Sequence, residues 1–358
     1  MSTYLSERFK GLAAYVPGEQ PQDRSYIKLN TNESPFPPSN AVISALNRTE
    51  IRKLNLYPDP EARAARSAIA GLYGLKPDNV VLGNGSDELL AFCFQAFCGA
   101  GASAVYADVT YGFYEVYTKI NSAPSRVIPL DESYKIVAAD YFGAGGTVFV
   151  ANPNSPTGIA LPLSDVEAVV ANNPGNVVVI DEAYEVFGGE SAVPLIKKYP
   201  NLIVVHTMSK SKNLAGARLG YAFADEGLIA DINAMKFSFN PYNVNRLSLQ
   251  AAIAAIKDAA YYESCVEKIV NARERMTTEF FRRGFFVLPS SANFLFVQPN
   301  FISGAEYYKG LKERGILVRH FKQGRVENFV RITVGADDQI RELLLATDAM
   351  IRIYGRGK

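Results

Sequence analysis

The feature that most constrains this chain is a series of short, unbroken apolar runs, such as NVVL, TVFVA, NVVVI and LIVVH, each closed by a polar cluster. A strand with one wet face alternates apolar and polar residues. An unbroken run needs cover on both faces, as in a mostly parallel sheet sandwiched between helices. Runs at 80–82, 104–107, 147–151, 177–180, 203–206 and 221–224 alternate with longer helical patterns, which predicts an α/β layer fold. Residues 61–74 read as a helix behind a Pro-Asp-Pro breaker, and residues 244–283 as one long helix. Beyond it the texture changes, with strand-like runs at 292–297, 316–321 and 329–334. The expected organisation is an N-terminal arm (1–40) associated with a small α+β domain (276–358), and a large domain (41–275).

Composition limits the chemistry. The net charge is +1, so no sequence-wide field favours nucleic acid or an anionic membrane. The N-terminus carries charges within its first ten residues and lacks the apolar core of a secretory signal, and no run approaches the roughly 18 apolar residues of a membrane span, so a cytoplasmic protein is expected. The three cysteines form no CxxC pair, which argues against a disulfide framework or a zinc site. With only two histidines, a serine–histidine triad or a histidine-ligated metal is poorly supplied. Proton transfer then falls to lysine, tyrosine or a carboxylate.

In open α/β sheets, ligands gather beyond the carboxyl ends of strands, and four polar clusters stand there. Gly83-Asn84-Gly85-Ser86-Asp87-Glu88 precedes a helix, whose N-terminus can cradle phosphate, although Ser86 or Asp87 alone reads as an ordinary cap. Asn152-Pro153-Asn154-Ser155-Pro156-Thr157-Gly158 is a constrained turn that presents amide and hydroxyl groups. Asp181 ends a buried strand and needs a partner, which a protonated ring nitrogen would supply; Tyr184 follows three residues later. The fourth cluster, Thr207 to Arg218, offers hydroxyls, Lys210, Lys212 and a guanidinium fork. Charge alone does not choose between the two lysines. Taken together, the clusters describe one ligand with a phosphate, a cationic ring nitrogen, a ring oxygen and a carbon that forms an imine. Pyridoxal 5'-phosphate has all four.

At these residues the chain resembles the fold-type-I pyridoxal-phosphate aminotransferases, most closely the histidinol-phosphate aminotransferases. LNTNESP, NLYPDP, GNGSDE, TYGFY, NPNSPTG, IDEAY, SKSKNLAGARLGYA and VRITVG stand in that family's order along nearly the whole chain. The resemblance implies a large domain with a mostly parallel sheet and a smaller α+β domain. It implies that Lys210 forms the imine, Asp181 pairs with the ring nitrogen, Tyr184 meets the ring oxygen and Tyr111 stacks on the ring. Ser86, Asp87, Ser209 and Arg218 would surround the phosphate. Tyr57 would reach the cofactor of a neighbouring subunit, so a homodimer with shared sites is implied. Arg331 would clamp the substrate carboxylate, with Arg319 and Tyr15 at a distal phosphate. Two departures stand out: Ser155 occupies the position where relatives carry Asn, leaving Asn154 or Ser155 to reach the ring oxygen, with Asn154 preferred; and Lys212 and Asn213 replace an aromatic and a glycine. The implied reaction is transamination between histidinol phosphate and 2-oxoglutarate. An aromatic amino-acid aminotransferase, a threonine-phosphate decarboxylase and, from a different class, a catalytically silent binding module are the alternatives.

Overall fold

The computed structural model describes residues 4–322 and 324–355. Residues 1–3 of the expected arm, and 323 and 356–358 of the expected small domain, lie outside the described residues. The strands are β1 (Ile27–Lys28), β2 (Val80–Gly83), β3 (Ala104–Ala107), β4 (Ser125–Ile128), β5 (Thr147–Ala151), β6 (Val178–Asp181), β7 (Leu202–Thr207), β8 (Gly220–Ala224), β9 (Phe286–Val287), β10 (Phe294–Gln298), β11 (Ile316–Leu317), β12 (Arg319–His320) and β13 (Val330–Thr333).

A seven-stranded sheet in the order β2-β8-β7-β6-β5-β3-β4 forms the main layer. Its apolar runs divide between two cores with a period of two. Val178, Ile180, Leu202 and Val204 face one core, while Val179, Ile203 and Val205 face the other. This division is why the runs are unbroken: every position on β6 and β7 is buried. Each buried Val or Ile contributes roughly 1.5–3 kcal/mol relative to exposure. β4, one of the two edge strands, shows three exposed positions out of four, and its sequence carried no apolar run to mark it.

The sheet is parallel except for β8, which runs antiparallel to both β2 and β7. This reversal matters for the site. Strands β2, β5, β6 and β7 end at one edge of the sheet, and β8 begins there, with Gly220 opposite both Gly83 and Thr207. Arg218, two residues before β8, therefore lies beside clusters that follow their strands.

The expected helix 61–74 forms over Arg63–Leu72. The expected single helix 244–283 is two, Arg246–Lys257 and Ala259–Arg282, which part at Asp258, where the backbone (φ −105°, ψ 50°) leaves the helical region. The break lets each half serve a different core. Leu249, Ala252 and Ala255 pack against the large sheet, whereas Ile269, Ala272, Met276 and Phe280 pack under the C-terminal one. That second sheet has the order β12-β13-β10-β9. The expected strand 316–321 also divides: β11 pairs in parallel with β1 of the N-terminal segment, and β12 pairs with β13. Among the described residues, no helix is long and apolar enough to cross a membrane.

Candidate active site

Asp181 is the last residue of β6 and is buried, 6% exposed. Burial disfavours its charged form and pushes its carboxyl up to about 7, against hydrogen bonds from the Ala183 N–H and the Tyr114 hydroxyl that favour the anion. A carboxylate in that setting suits a cationic partner. Tyr114, three residues beyond Tyr111 in TYGFY, had no assigned role in the sequence; it lies in the first turn of the helix Phe113–Ile120, whereas Tyr111 precedes that helix.

β7 delivers the lysine. The short helix Met208–Ser211 starts directly at the strand end, capped by Thr207, whose hydroxyl accepts from the Ser209 N–H at 3.2 Å. Lys210 Nζ donates to the carbonyl of Thr31 at 3.2 Å. Burial first, and then the nearby Arg331 cation, bring its amine down to about 8. Lys212 instead lies over the Tyr262 ring, 5.1 Å from the centroid.

The anion-binding corner is built from glycines. Gly85 precedes the helix Ser86–Phe97 with no side-chain cap, which leaves first-turn N–H groups uncapped. A Cβ on Gly85 would stand 2.5 Å from Arg218 Nη2, and one on Gly220 would stand 2.4 Å from the Ser86 nitrogen. Only bare backbone lets the helix start, β8 and the guanidinium converge. Arg218 itself adopts a left-handed backbone (φ 53°), a strained conformation for a residue with a Cβ. It donates to Ser209 Oγ at 3.4 Å and to Asp87 Oδ2 at 3.0 Å, and Asp87 Oδ1 accepts from the Tyr111 hydroxyl at 2.5 Å.

Other expected residues arrive differently. Asn154 is buried and fully committed: its Oδ1 accepts from Thr110 Oγ1, and its Nδ2 donates to the Val109 carbonyl and to Thr157 Oγ1. Both protons that a ring oxygen would need are thus given to the protein. Neighbouring Ser155 faces Arg331, whose Nη1 donates to Ser155 Oγ at 3.0 Å. Arg331 Nη2 reaches the Asn30 carbonyl at 3.3 Å, while its Nε is buried without a partner. Arg319 stands directly across from Arg331 in the β12–β13 register and holds the carbonyls of Val16 and Pro17 at 2.8 and 3.0 Å. Tyr15 stacks on Phe113 at 4.0 Å. Tyr57 is 76% exposed and stacks on Tyr242 at 4.3 Å.

A family profile described as aminotransferase class I and II matches residues 24–346. The chain belongs to the class I and II aminotransferases. It is a pyridoxal-phosphate-dependent aminotransferase, and the residues fit that cofactor: a buried acid for a ring nitrogen, a lysine amine shifted toward neutrality and an uncapped helix start beside Arg218. The aminotransferase is similar to the histidinol-phosphate aminotransferase of Brachyspira hyodysenteriae, 46% identical over 95% of this chain and 96% of the relative. That of Acetobacter pasteurianus is 47% identical, over 97% of each chain. Among solved structures, the histidinol-phosphate aminotransferase of Sinorhizobium meliloti in complex with pyridoxal-5'-phosphate superposes with a TM-score of 0.86 at 26% identity, over 99% of each chain.

Proposed function

We propose that this aminotransferase exchanges the amino group of histidinol phosphate with 2-oxoglutarate, as a cytoplasmic homodimer. The observation that carries this reading is the pair Arg319 and Arg331, opposite each other on β12 and β13, with Arg331 Nε buried and unpartnered. Like charges directly opposite destabilise a sheet unless anions neutralise them. A carboxylate at Arg331 and a phosphate at Arg319 meet that need. The names and near-complete coverage of the similar curated enzymes support the same substrates.

Bound pyridoxal phosphate supplies a carbonyl carbon that amines attack and a ring that withdraws electrons. The protein's residues do the rest. Lys210, in its neutral form, would take the proton from the substrate Cα and deliver it to the cofactor's former carbonyl carbon, so that the nitrogen stays with the cofactor. Asp181 would keep the ring nitrogen protonated. Tyr184 would donate to the ring oxygen, and Tyr111 would pack on the ring. Ser86, Asp87, Ser209 and Arg218, the first two partly through backbone N–H groups, would hold the phosphate, joined by Tyr57 of a second copy. Asn154, its donors spent, holds the cleft wall. Tyr15 and Arg319 close the distal end.

The test is turnover. Holoenzyme with histidinol phosphate and 2-oxoglutarate should form glutamate, and Arg319→Ala should raise KM for the phosphorylated donor about tenfold or more while leaving KM for glutamate within about threefold. No turnover with this pair, together with turnover of phenylalanine or tyrosine, would assign the enzyme to aromatic substrates instead.

A further inference from the structure

The LNTNESP motif, at the end of the N-terminal arm, runs through the middle of the site, and three of its successive residues each touch a different functional side chain. The carbonyl of Asn30 accepts from Arg331 Nη2 at 3.3 Å, and the carbonyl of Thr31 accepts from Lys210 Nζ at 3.2 Å. Asn32 Nδ2 donates to the Tyr184 hydroxyl at 2.9 Å. Asn32 is buried, 1% exposed, and takes a left-handed backbone (φ 55°), which Asn, Asp and Gly tolerate best.

Its surroundings fix its orientation. Thr333 Oγ1 accepts from the Asn32 N–H at 2.9 Å, so the hydroxyl proton of Thr333 is free to go to Asn32 Oδ1, 3.1 Å away. The Nδ2 end then faces Tyr184. Asn293 Nδ2 holds the Asn32 carbonyl at 3.0 Å. With one lone pair of the phenol filled by Asn32, the Tyr184 proton is directed elsewhere.

We propose that Asn32 is a positioning residue: its amide makes Tyr184 a donor toward the ring oxygen of the cofactor, and the turn it locks presents the two carbonyls that receive Lys210 and Arg331. The inference rests on reading Tyr184 as the ring-oxygen donor. Burial pushes the Tyr184 hydroxyl up, and the Arg331 charge and the Asn32 hydrogen bond both act against that rise. A donor to the ring oxygen favours its anionic form. Loss of that donor should therefore raise the pH at which the bound cofactor's visible chromophore gives up its proton.

The experiment is a pH titration of the visible absorption of holoenzyme, with far-UV circular dichroism to establish folding. Asn32→Gly keeps the left-handed backbone and deletes the amide; its midpoint should rise by roughly half to one pH unit. Tyr184→Phe should raise the midpoint at least as far, and the double variant should go no higher than Tyr184→Phe alone. An unmoved midpoint in Asn32→Gly beside a shifted Tyr184→Phe overturns the proposal, as does an Asn32→Gly shift of equal size with and without Tyr184. An unmoved midpoint in Tyr184→Phe overturns the reading of Tyr184 and the proposal with it. Should Asn32→Gly fail to fold, Asn32→Asp serves. It is near-isosteric, tolerates the same backbone and turns the donor into an acceptor that captures the Tyr184 proton. Its upward shift should be larger in the Tyr184 background than in the Tyr184→Phe background, and equal shifts overturn the proposal.

Discussion

Lys210 illustrates how an ordinary residue becomes reactive. Burial and the nearby Arg331 guanidinium bring its amine to about 8, so roughly a fifth is neutral at physiological pH, far more than for an ordinary lysine. Capture of pyridoxal phosphate by the cofactor-free enzyme requires the neutral amine. Its rate should rise with pH through a midpoint near 8, and Arg331→Gln should move that midpoint upward; stopped-flow absorbance measures both. Borohydride trapping should label Lys210 and leave Lys212, held over Tyr262, unmodified. Asp181 carries the opposite cost. Its folded carboxyl, near 7, lies above the ordinary value of 3.8, so between those values the folded state binds more protons than the unfolded one and stability falls as pH rises. Without cofactor, Asp181→Asn should therefore be more stable than the parent at pH 8, by roughly 2–4 kcal/mol, with the gap closing toward pH 4. Denaturant titrations at the two pH values check this, and with cofactor bound the variant should lose turnover.

At the scale of elements, the ends of β6 and β7 must hold still, because Asp181 closes one and Lys210 follows the other. A buried brace joins them on the face away from Asp181. His206 Nε2 lies 2.7 Å from Glu182 Oε2, and Glu182 also accepts from Ser191 Oγ and the Ala192 N–H at 2.6 Å. Burial alone would depress the imidazole, but the Glu182 carboxylate, with Glu185 and Asp181 behind it, holds His206 above its usual 6.5. A raised folded value means that the stabilisation is fully present below about 6.5 and is lost as pH rises through the folded value. His206→Ala should cost about 3–5 kcal/mol at pH 6, because it strands a buried carboxylate, and less at pH 9. Thermal melts at both pH values test the sign.

At the scale of the whole molecule, the site draws on the N-terminal segment, the large sheet and the C-terminal sheet at once, and Tyr57 faces outward rather than into it. If Tyr57 serves a second copy, mixing one inactive and one weakened parent should restore activity. Lys210→Ala should fold and lose transamination, and Tyr57→Ala should be weakened. A hybrid of the two contains one site with both residues intact, so refolded mixtures should recover activity well above either parent, and no recovery would leave Tyr57 without that role.

The sequence by itself determined the layered α/β fold and the polar clusters that close its strands. Unbroken apolar runs mark strands buried on both faces, and polar clusters closing those runs mark the edge where ligands gather; both are local signals. The tertiary structure decided what depends on direction and partnership. The reversal of β8 is invisible in GYAFA, since a buried strand has the same composition whichever way it runs, yet it brings Arg218 to Asp87. The break at Asp258 follows from two cores competing for one helical pattern. Asn154 and Ser155 are adjacent and equally polar. Only packing shows that Asn154 has spent its donors on Val109 and Thr157, whereas Ser155 meets Arg331. Asn32 stood in a motif that was legible from the start. Its contact with Tyr184 spans 152 residues of chain, and no local pattern encodes a hydrogen bond at that separation.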